Sequence, residues 1–129
     1  LYIDAEHAFN LEYAAKFGIN TDPSAFMFCQ PESAEEALEI FNTYAETGAL
    51  SVIVLDSVAA MATEAQLAKA MDEKTMGSLA GVMSPGLTKI KSTISRTNTL
   101  GIFVNQVREN LGERKRSLLI NCVKTCIIA

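Results

Sequence analysis

The sequence predicts an α/β protein with a mostly parallel sheet flanked by helices. Its 129 residues, of which 49% are hydrophobic and 20% charged, suit one globular domain. Short apolar runs alternate along the chain with apolar positions at helical spacing, which is typical of strand–helix–strand units with parallel strands. Polar side chains also follow three of the apolar runs, at the point where a parallel sheet binds its ligands.

The strands are predicted from continuous apolar runs. β-branched and aliphatic side chains dominate the clearest of them, residues 52–55, as in strands that are buried on both faces of a parallel sheet. The other runs are residues 1–3, 25–29, 100–104 and, with uncertain register, 117–128.

Two helices are predicted in the first half of the chain. The first covers residues 11–17 and has Asn10 as its N-cap, because the Asn side chain can accept a backbone hydrogen bond there. The second begins after Ser33, which has the spacing of a capping box with Glu36, and it continues to Gly48.

The middle of the chain gives weaker signals. Residues 60–75 mix Ala and Met with charged residues and predict either a frayed helix or a loop. From residue 77 to about residue 96, apolar side chains recur every three or four positions and predict a long helix. Pro85 lies inside this helix and is expected to bend it.

The net charge of −4 conceals an uneven distribution. Residues 1–64 hold eleven of the 15 acids and one of the 11 bases, so the remaining four acids and ten bases lie in residues 65–129. A basic second half predicts an anionic partner for that half.

Several protein classes are excluded by composition. No run of about 18 apolar residues occurs, so neither a membrane span nor a membrane partner is predicted. The three cysteines are an odd, widely spaced set and indicate reduced thiols of a cytosolic protein. The chain begins in an apolar run without an initiator Met, so we expect it to be a piece of a longer protein.

The polar side chains after the strands are the candidate functional residues. The carboxyl ends of parallel strands lie along one edge of the sheet, so these side chains should converge on one site. The alternative for each is structural, since an Asp after a strand can simply cap the next turn. The set consists of Asp4, Glu6, Asp56, Ser57, Asn105 and Gln106.

Individual members suggest specific chemistry. Four apolar residues followed by Asp56 and Ser57 match the Walker B pattern of nucleoside triphosphatases, in which the carboxylate holds Mg²⁺ through water and the hydroxyl supports it. Glu6 has the chemistry of a general base for an attacking water. Gln106 could contact a terminal phosphate, although a Gln after a strand more often satisfies loop backbone. His7, the only histidine, has no nucleophile near it in sequence and is interpreted as structural.

Taken together, consecutive motifs closely resemble the RecA recombinase family of bacteria and phages. The resemblance runs from Leu1 to about Gly112. It implies a RecA-like P-loop NTPase core over residues 1–112. The motifs fall at residues 2–8, 13–14, 30–31, 36–40, 52–60, 76–77, 98–100 and 103–108.

The resemblance implies an ATP site with Mg²⁺. In it, Glu6 activates the hydrolytic water, and Asp56 with Ser57 serves the Mg²⁺. Gln106 matches the glutamine that senses the γ-phosphate. Tyr13 matches the tyrosine that stacks on adenine.

One further position of the nucleotide site differs from the family. Asn10 falls where the family commonly has an Asp beside the adenine amino group, so that contact is expected to be altered.

The resemblance also implies contacts with single-stranded and double-stranded DNA. Residues 64–77 match the first DNA-binding loop, with Met76 near the spread bases and Gly77 beside it. Arg108 fits a phosphate-contacting arginine at the start of the second loop, and Ser84 fits a helix residue near the DNA backbone. On this interpretation, the early acids surround a nucleotide and the late bases face DNA phosphates.

The chain also departs from the family pattern. The Gly-rich phosphate loop with its Lys and Thr should precede Leu1, so the ATPase core is expected to be incomplete. Gly81 and Thr88 stand where arginines are usual in the DNA-facing helix. Residues 113–129 do not match the family and are assigned as a divergent tail of uncertain origin.

The expected function is that of a fragment of a cytoplasmic, DNA-dependent ATPase. The parent protein would form helical filaments on single-stranded DNA and catalyse homologous pairing and strand exchange in recombination and repair. The isolated fragment is expected to be inactive. Two alternatives stay open: another ATPase on the same core, of helicase or clock type, or a non-catalytic remnant.

Overall fold

A computed structural model of the chain describes residues 1–68 and 79–106, together with the backbone of Thr125–Ile127. These parts form one five-stranded sheet in the order β2-β1-β3-β4-β5. The β1–β2, β1–β3 and β3–β4 pairs are parallel, and β4–β5 is antiparallel. The predicted α/β class with a mostly parallel sheet is confirmed. The strands are β1 (Tyr2–Asp4), β2 (Phe28–Cys29), β3 (Val52–Asp56), β4 (Leu100–Phe103) and β5 (Thr125–Ile127).

The helices connect these strands. In the described residues they are α1 (Leu11–Lys16), α2 (Ala34–Glu46), α3 (Glu64–Leu67) and α4 (Leu79–Thr97), with a 3₁₀ turn over Val58–Ala60. Residues 60–75 were predicted as a frayed helix or a loop, and the part as far as residue 68 contains the end of the 3₁₀ turn and the short α3. The predicted long helix is α4, with Pro85 inside it. The boundary predicted at residue 112 lies outside the described residues.

Local capping explains where two of the helices begin. The Asn10 side chain accepts from the Tyr13 N–H at 2.8 Å and caps α1, as predicted. Ser33 accepts from the Glu36 N–H at 3.1 Å, but the Glu36 carboxylate accepts from the N–H of Glu32, not from that of Ser33. The capping box predicted at α2 is therefore only half formed.

A complete capping box occurs instead at α3. The Thr63 hydroxyl accepts from the Gln66 N–H at 3.2 Å, and the Gln66 side chain accepts from the Thr63 N–H at 2.8 Å. Two otherwise unpaired donors of the helix start are thus satisfied, which lets a helix of a single turn form.

The second strand is shorter than predicted, because residues 22–26 form a turn. The Asp22 carbonyl accepts from the N–H groups of Ala25 and Phe26 at 2.9 and 2.8 Å. These donors are no longer available to a neighbouring strand. Only Phe28 and Cys29 of the predicted run 25–29 therefore pair with β1.

The core lies between the sheet and helices α2 and α4. The rings of Phe41 on α2 and Phe103 on β4 stack with centroids 4.9 Å apart, and both side chains are buried. Gly101 leaves room for this stack, since a Cβ there would lie 3.0 Å from the Phe41 ring. Thr93 of α4 donates to Asn42 of α2 at 2.9 Å, which joins the two helices through a buried hydrogen bond. Among the described helices, none has the length and apolar character needed to cross a membrane.

Candidate functional site

The ends of β1, β3 and β4 lie at one edge of the sheet. Asp4 is paired with Asp56, and Leu55 is paired with Phe103, so all three strands stop at nearly the same level. The connections beyond them stay together as well, since the Ala5 N–H donates to the Asp56 carbonyl at 2.7 Å. The residues that follow these strands are thereby held close to one another, although they are far apart in sequence.

Glu6 is the centre of a small hydrogen-bonded cluster at this edge. Its Oε1 atom accepts from the Ser57 hydroxyl at 2.5 Å and from Nε2 of Gln106 at 3.2 Å. The three side chains follow β1, β3 and β4 in turn. The predicted convergence after the strands therefore holds for these three residues.

Asp56 lies beside this cluster and has a different partner. One of its carboxylate oxygens, Oδ2, accepts from the Tyr2 hydroxyl at 2.6 Å. Burial, and after it the hydrogen bond to Asp56, raises the pKa of Tyr2 well above its ordinary value. Tyr2 therefore keeps its proton and stays a donor to Asp56 at every physiological pH.

Asp4 belongs to the scaffold, although its position after a strand made it a candidate for the site. Its side chain is 2% exposed and accepts from the N–H groups of Phe9 and Glu6 and from Nε2 of Gln30, at 2.9, 3.2 and 3.1 Å. Burial alone would raise the pKa of Asp4, but these hydrogen bonds outweigh it and the pKa is lowered. An ionised Asp4 thus fixes the loop that carries Glu6.

Asn105 has a local role in the described structure, and His7 lies at the surface. The Asn105 side chain accepts from the Gln106 N–H at 2.9 Å, so it shapes the backbone that presents Gln106. His7 is exposed, with a left-handed φ of 55°. The Asn105 side chain is not hydrogen-bonded to Glu6. The predicted set of six residues therefore divides into the cluster of Glu6, Ser57 and Gln106 and the residues outside it.

A shallow pocket of about 350 Å³ opens next to the cluster, a volume in the usual range for small-molecule sites. Tyr13 and Phe17 form its outer aromatic wall, with ring centroids 4.8 Å apart in an edge-to-face arrangement. Tyr13 is 61% exposed, so the face of an aromatic ring is available to a planar ligand. The lining comprises Tyr2, Asp4, Glu6, Ala8, Phe9, Asn10, Tyr13, Ala14, Phe17, Ile19 and Asp56.

The pocket lining combines carboxylates with aromatic side chains. Its described lining includes three carboxylates and no Lys or Arg. The other early acids do not all gather here, because Glu32, Glu36, Glu39 and Glu64 surround a second depression near α2 and α3. The described structure therefore divides the early acids between two depressions and does not gather them at one.

The donor atoms beside the pocket suit Mg²⁺. Carboxylate and hydroxyl oxygens of Glu6, Asp56 and Ser57 are hard ligands of the kind Mg²⁺ prefers, and Mg²⁺ usually keeps several waters. Within the parts of the chain that the structure describes, no group of three or more His, Cys, Asp or Glu side chains could hold a metal ion alone. An Mg²⁺ ion at this edge of the sheet would therefore need further oxygen ligands from water or from a bound molecule.

Comparison with known proteins identifies the family. The family model described as "RecA N-terminal domain" matches residues 1–117. Because this match covers most of the chain, the assignment is direct. The chain belongs to the RecA N-terminal domain family.

Individual RecA proteins show the same likeness over most of the chain. The protein RecA of Syntrophus aciditrophicus is 44% identical over 111 residues, and that of an Arthrobacter species is 46% identical over 111 residues. A third relative, from Paenarthrobacter aurescens, is 43% identical over 111 residues. Each alignment covers 86% of this chain but only 32%, 31% and 50% of the respective relative. The chain therefore spans between about a third and a half of these RecA proteins.

The residues that the RecA resemblance placed around adenine lie at the pocket. Tyr13 and Asn10 both line it, on and just before α1. The Asn10 side-chain oxygen is already engaged in capping α1, so its amide nitrogen is the group left to face a ligand. Their contact with a base stays a prediction.

Most of the residues that the RecA resemblance placed near DNA lie outside the part of the chain that the structure describes. Met76, Gly77 and Arg108 lie outside the described residues. Ser84 is exposed on α4, and its carbonyl accepts from the Thr88 hydroxyl at 3.0 Å. Ser84 does not line the pocket beside Glu6.

Tyr2 and Gln30 contact residues of the site but were not among the predicted site residues. Tyr2 and Asp56 lie on one face of the β1–β3 pair, because Tyr2 pairs with Val54 and Asp4 with Asp56. The strand alternation could therefore have placed a Tyr two residues before Asp4 next to Asp56. Gln30 lies in one of the motifs shared with the family, but nothing local indicated its contact with Asp4, which spans 26 residues.

Proposed function

We propose that the chain is part of the ATP-binding core of a DNA-dependent ATPase that forms filaments on single-stranded DNA and catalyses homologous pairing and strand exchange. The observation that carries this proposal is the cluster of Glu6, Ser57 and Gln106 at the carboxyl ends of three parallel strands. Membership of the RecA N-terminal domain family supports the same assignment.

In this proposal ATP lies with its base against Tyr13 and Asn10 and its terminal phosphates beside Glu6. Glu6 takes a proton from the attacking water as the water oxygen bonds to the γ-phosphorus. The bond from that phosphorus to the bridging oxygen breaks, and ADP leaves with the electron pair. Asp56 would hold Mg²⁺, and the ion would neutralise charge on the phosphates.

The DNA side of the proposal rests on sequence. Gln106 immediately precedes the segment that matches the second DNA-binding loop. A movement of Gln106 when it loses the γ-phosphate contact would therefore be transmitted to that loop through one peptide bond. Met76, Gly77, Ser84 and Arg108 would contact DNA. Arg108→Ala should weaken DNA binding. The slope of the logarithm of the binding constant against the logarithm of the salt concentration should become shallower by about one unit.

The decisive experiment is Glu6→Gln in the full-length protein that contains this chain. The amide keeps the shape of the side chain but cannot accept the proton, so ATP binding should persist while turnover falls by about 10²- to 10⁴-fold. DNA-stimulated ATP hydrolysis and binding of a fluorescent ATP analogue are measured in parallel. Unchanged turnover would refute the role of Glu6, and a wild-type protein without turnover would favour a non-catalytic remnant.

A further inference from the structure

Ser57 has an unusual environment for a serine that follows a strand. Its side chain is 1% exposed, and its hydroxyl donates to Glu6, which lies 51 residues earlier in the chain. The oxygen–oxygen distance of 2.5 Å is in the range of hydrogen bonds to an ionised carboxylate. The hydroxyl is therefore committed to Glu6 before any ligand enters the pocket.

The ordinary structural role of such a serine is not used here. Ser57 is the N-cap of the 3₁₀ turn Val58–Ala60, yet its side chain makes no capping hydrogen bond. Its hydroxyl also makes no described hydrogen bond to the carboxylate of its neighbour Asp56, whose described partner is the Tyr2 hydroxyl. The hydroxyl is thus directed away from both local partners and toward Glu6.

The two donors to Glu6 select one of its oxygens. Ser57 and Gln106 both bond to Oε1, and no described residue donates to Oε2. A carboxylate held by one oxygen cannot rotate freely, so its other oxygen is presented in a fixed direction. A general base oriented in this way by a third group is pre-organised for proton transfer.

We propose that Ser57 is a positioning residue for Glu6: it holds Oε1 so that Oε2 is the oxygen that accepts the proton of the hydrolytic water. This inference rests on the proposed function. It differs from the role suggested by the Walker B pattern, in which the serine supports Mg²⁺. On the present assignment, loss of the hydroxyl affects the chemical step and leaves metal and nucleotide binding intact.

The test compares Ser57→Ala, Glu6→Gln and the double variant in the full-length protein that contains this chain. Ser57→Ala should lower kcat by about ten- to a hundredfold, with KM for ATP changed by less than about twofold. In the Glu6→Gln background the same change should lower kcat by less than about twofold further, because the group that Ser57 positions is already gone.

A second readout does not depend on turnover. Binding of a fluorescent ATP analogue is titrated against Mg²⁺, and Ser57→Ala should leave the Mg²⁺ concentration for half-maximal binding unchanged. A clear rise in that concentration would overturn the proposal in favour of the metal role. Ser95→Ala, at an exposed serine of α4, is the matched control and should change neither readout.

The conservative variant guards against a merely misfolded protein. Ser57→Thr keeps the hydroxyl, so it should retain most of the turnover that Ser57→Ala loses; equal losses in both variants would contradict the proposal. If Glu6→Gln lowers turnover and Ser57→Ala does not, the inference fails while the proposed function stands. If Glu6→Gln itself has no effect, the proposed function fails.

Discussion

The Tyr2 hydroxyl donates a 2.6 Å hydrogen bond to Oδ2 of Asp56, across two adjacent parallel strands. The Tyr2 ring also packs against Phe9, with centroids 4.4 Å apart, so the hydroxyl is held in place by its own ring. This contact leaves Asp56 with one oxygen fixed and restricts how the carboxylate can turn toward the pocket.

Replacement of Tyr2 by Phe should remove this restraint and little else. The ring packing persists, so the free energy of unfolding should fall by only about 1 kcal/mol, the typical net value of one hydrogen bond. Urea denaturation followed by circular dichroism gives the change. Tyr44→Phe is the control, because the Tyr44 hydroxyl has no hydrogen bond to the described residues, and the two variants should differ. Equal stability of both would mean that the Tyr2–Asp56 contact contributes nothing.

The stability contributed by Asp4 should depend on pH. Its folded-state pKa is lowered, so the ionised form is favoured by folding, and this contribution is complete above the ordinary range of Asp near 3.8. It is lost as the pH falls through the lower folded-state pKa. Asp4→Asn should therefore be less stable than the parent by about 1–3 kcal/mol at neutral pH, and the gap should close in acid.

Acid denaturation curves of the two proteins, compared at several urea concentrations, provide the measurement for Asp4. A gap that stays constant from neutral pH to about pH 2 would contradict the assignment, because an uncharged effect of the substitution does not titrate. Asp22→Asn is the comparison: the hydrogen bonds from Ser24 also lower the pKa of Asp22, but this side chain is exposed and its bonds are confined to its own turn, so its stability gap should be smaller than that of Asp4→Asn.

The buried contact between α2 and α4 should be important for stability. Thr93→Val keeps the shape of the side chain but leaves the Asn42 side-chain oxygen without its donor. A buried polar atom without a partner costs about 1–3 kcal/mol, and the free energy of unfolding should fall by that amount. Thr88→Val removes an exposed hydroxyl from the same helix and should change stability by less than about 0.5 kcal/mol. Similar losses of stability in both variants would indicate that the lower helix propensity of Val, and not the buried hydrogen bond, causes the loss.

Nucleotide binding by the 129-residue chain itself should be weak. The pocket offers an aromatic wall, but its described lining contains carboxylates and no Lys or Arg to attract a triphosphate. A titration with a fluorescent ATP analogue should show no saturable binding at micromolar concentrations. Micromolar binding that Tyr13→Ala abolishes would show that the base-side contacts alone suffice, contrary to this expectation.

Much of the fold could be predicted from local patterns. The alternation of apolar runs with segments of helical apolar spacing predicted the parallel sheet. Asn10 correctly predicted the start of α1. The run at residues 25–29 was misassigned because its apolar composition says nothing about which groups take its N–H donors. The Asp22 turn takes two of them, and only two residues are left to pair with β1.

The sequence predicts which residues form the candidate site but not which of their side chains hydrogen-bond to one another. The apolar runs of the sequence place Glu6, Asp56, Ser57 and Gln106 after strands, and parallel pairing then requires these residues to meet at one edge of the sheet. Packing of the folded chain is needed to see that Ser57 donates to Glu6, that Tyr2 donates to Asp56, and that Asp4 is buried as part of the scaffold. These partners are far apart along the chain. Strand order brings their backbones together, whereas the choice of hydrogen-bond partner depends on rotamers, burial and competing donors that exist only after packing.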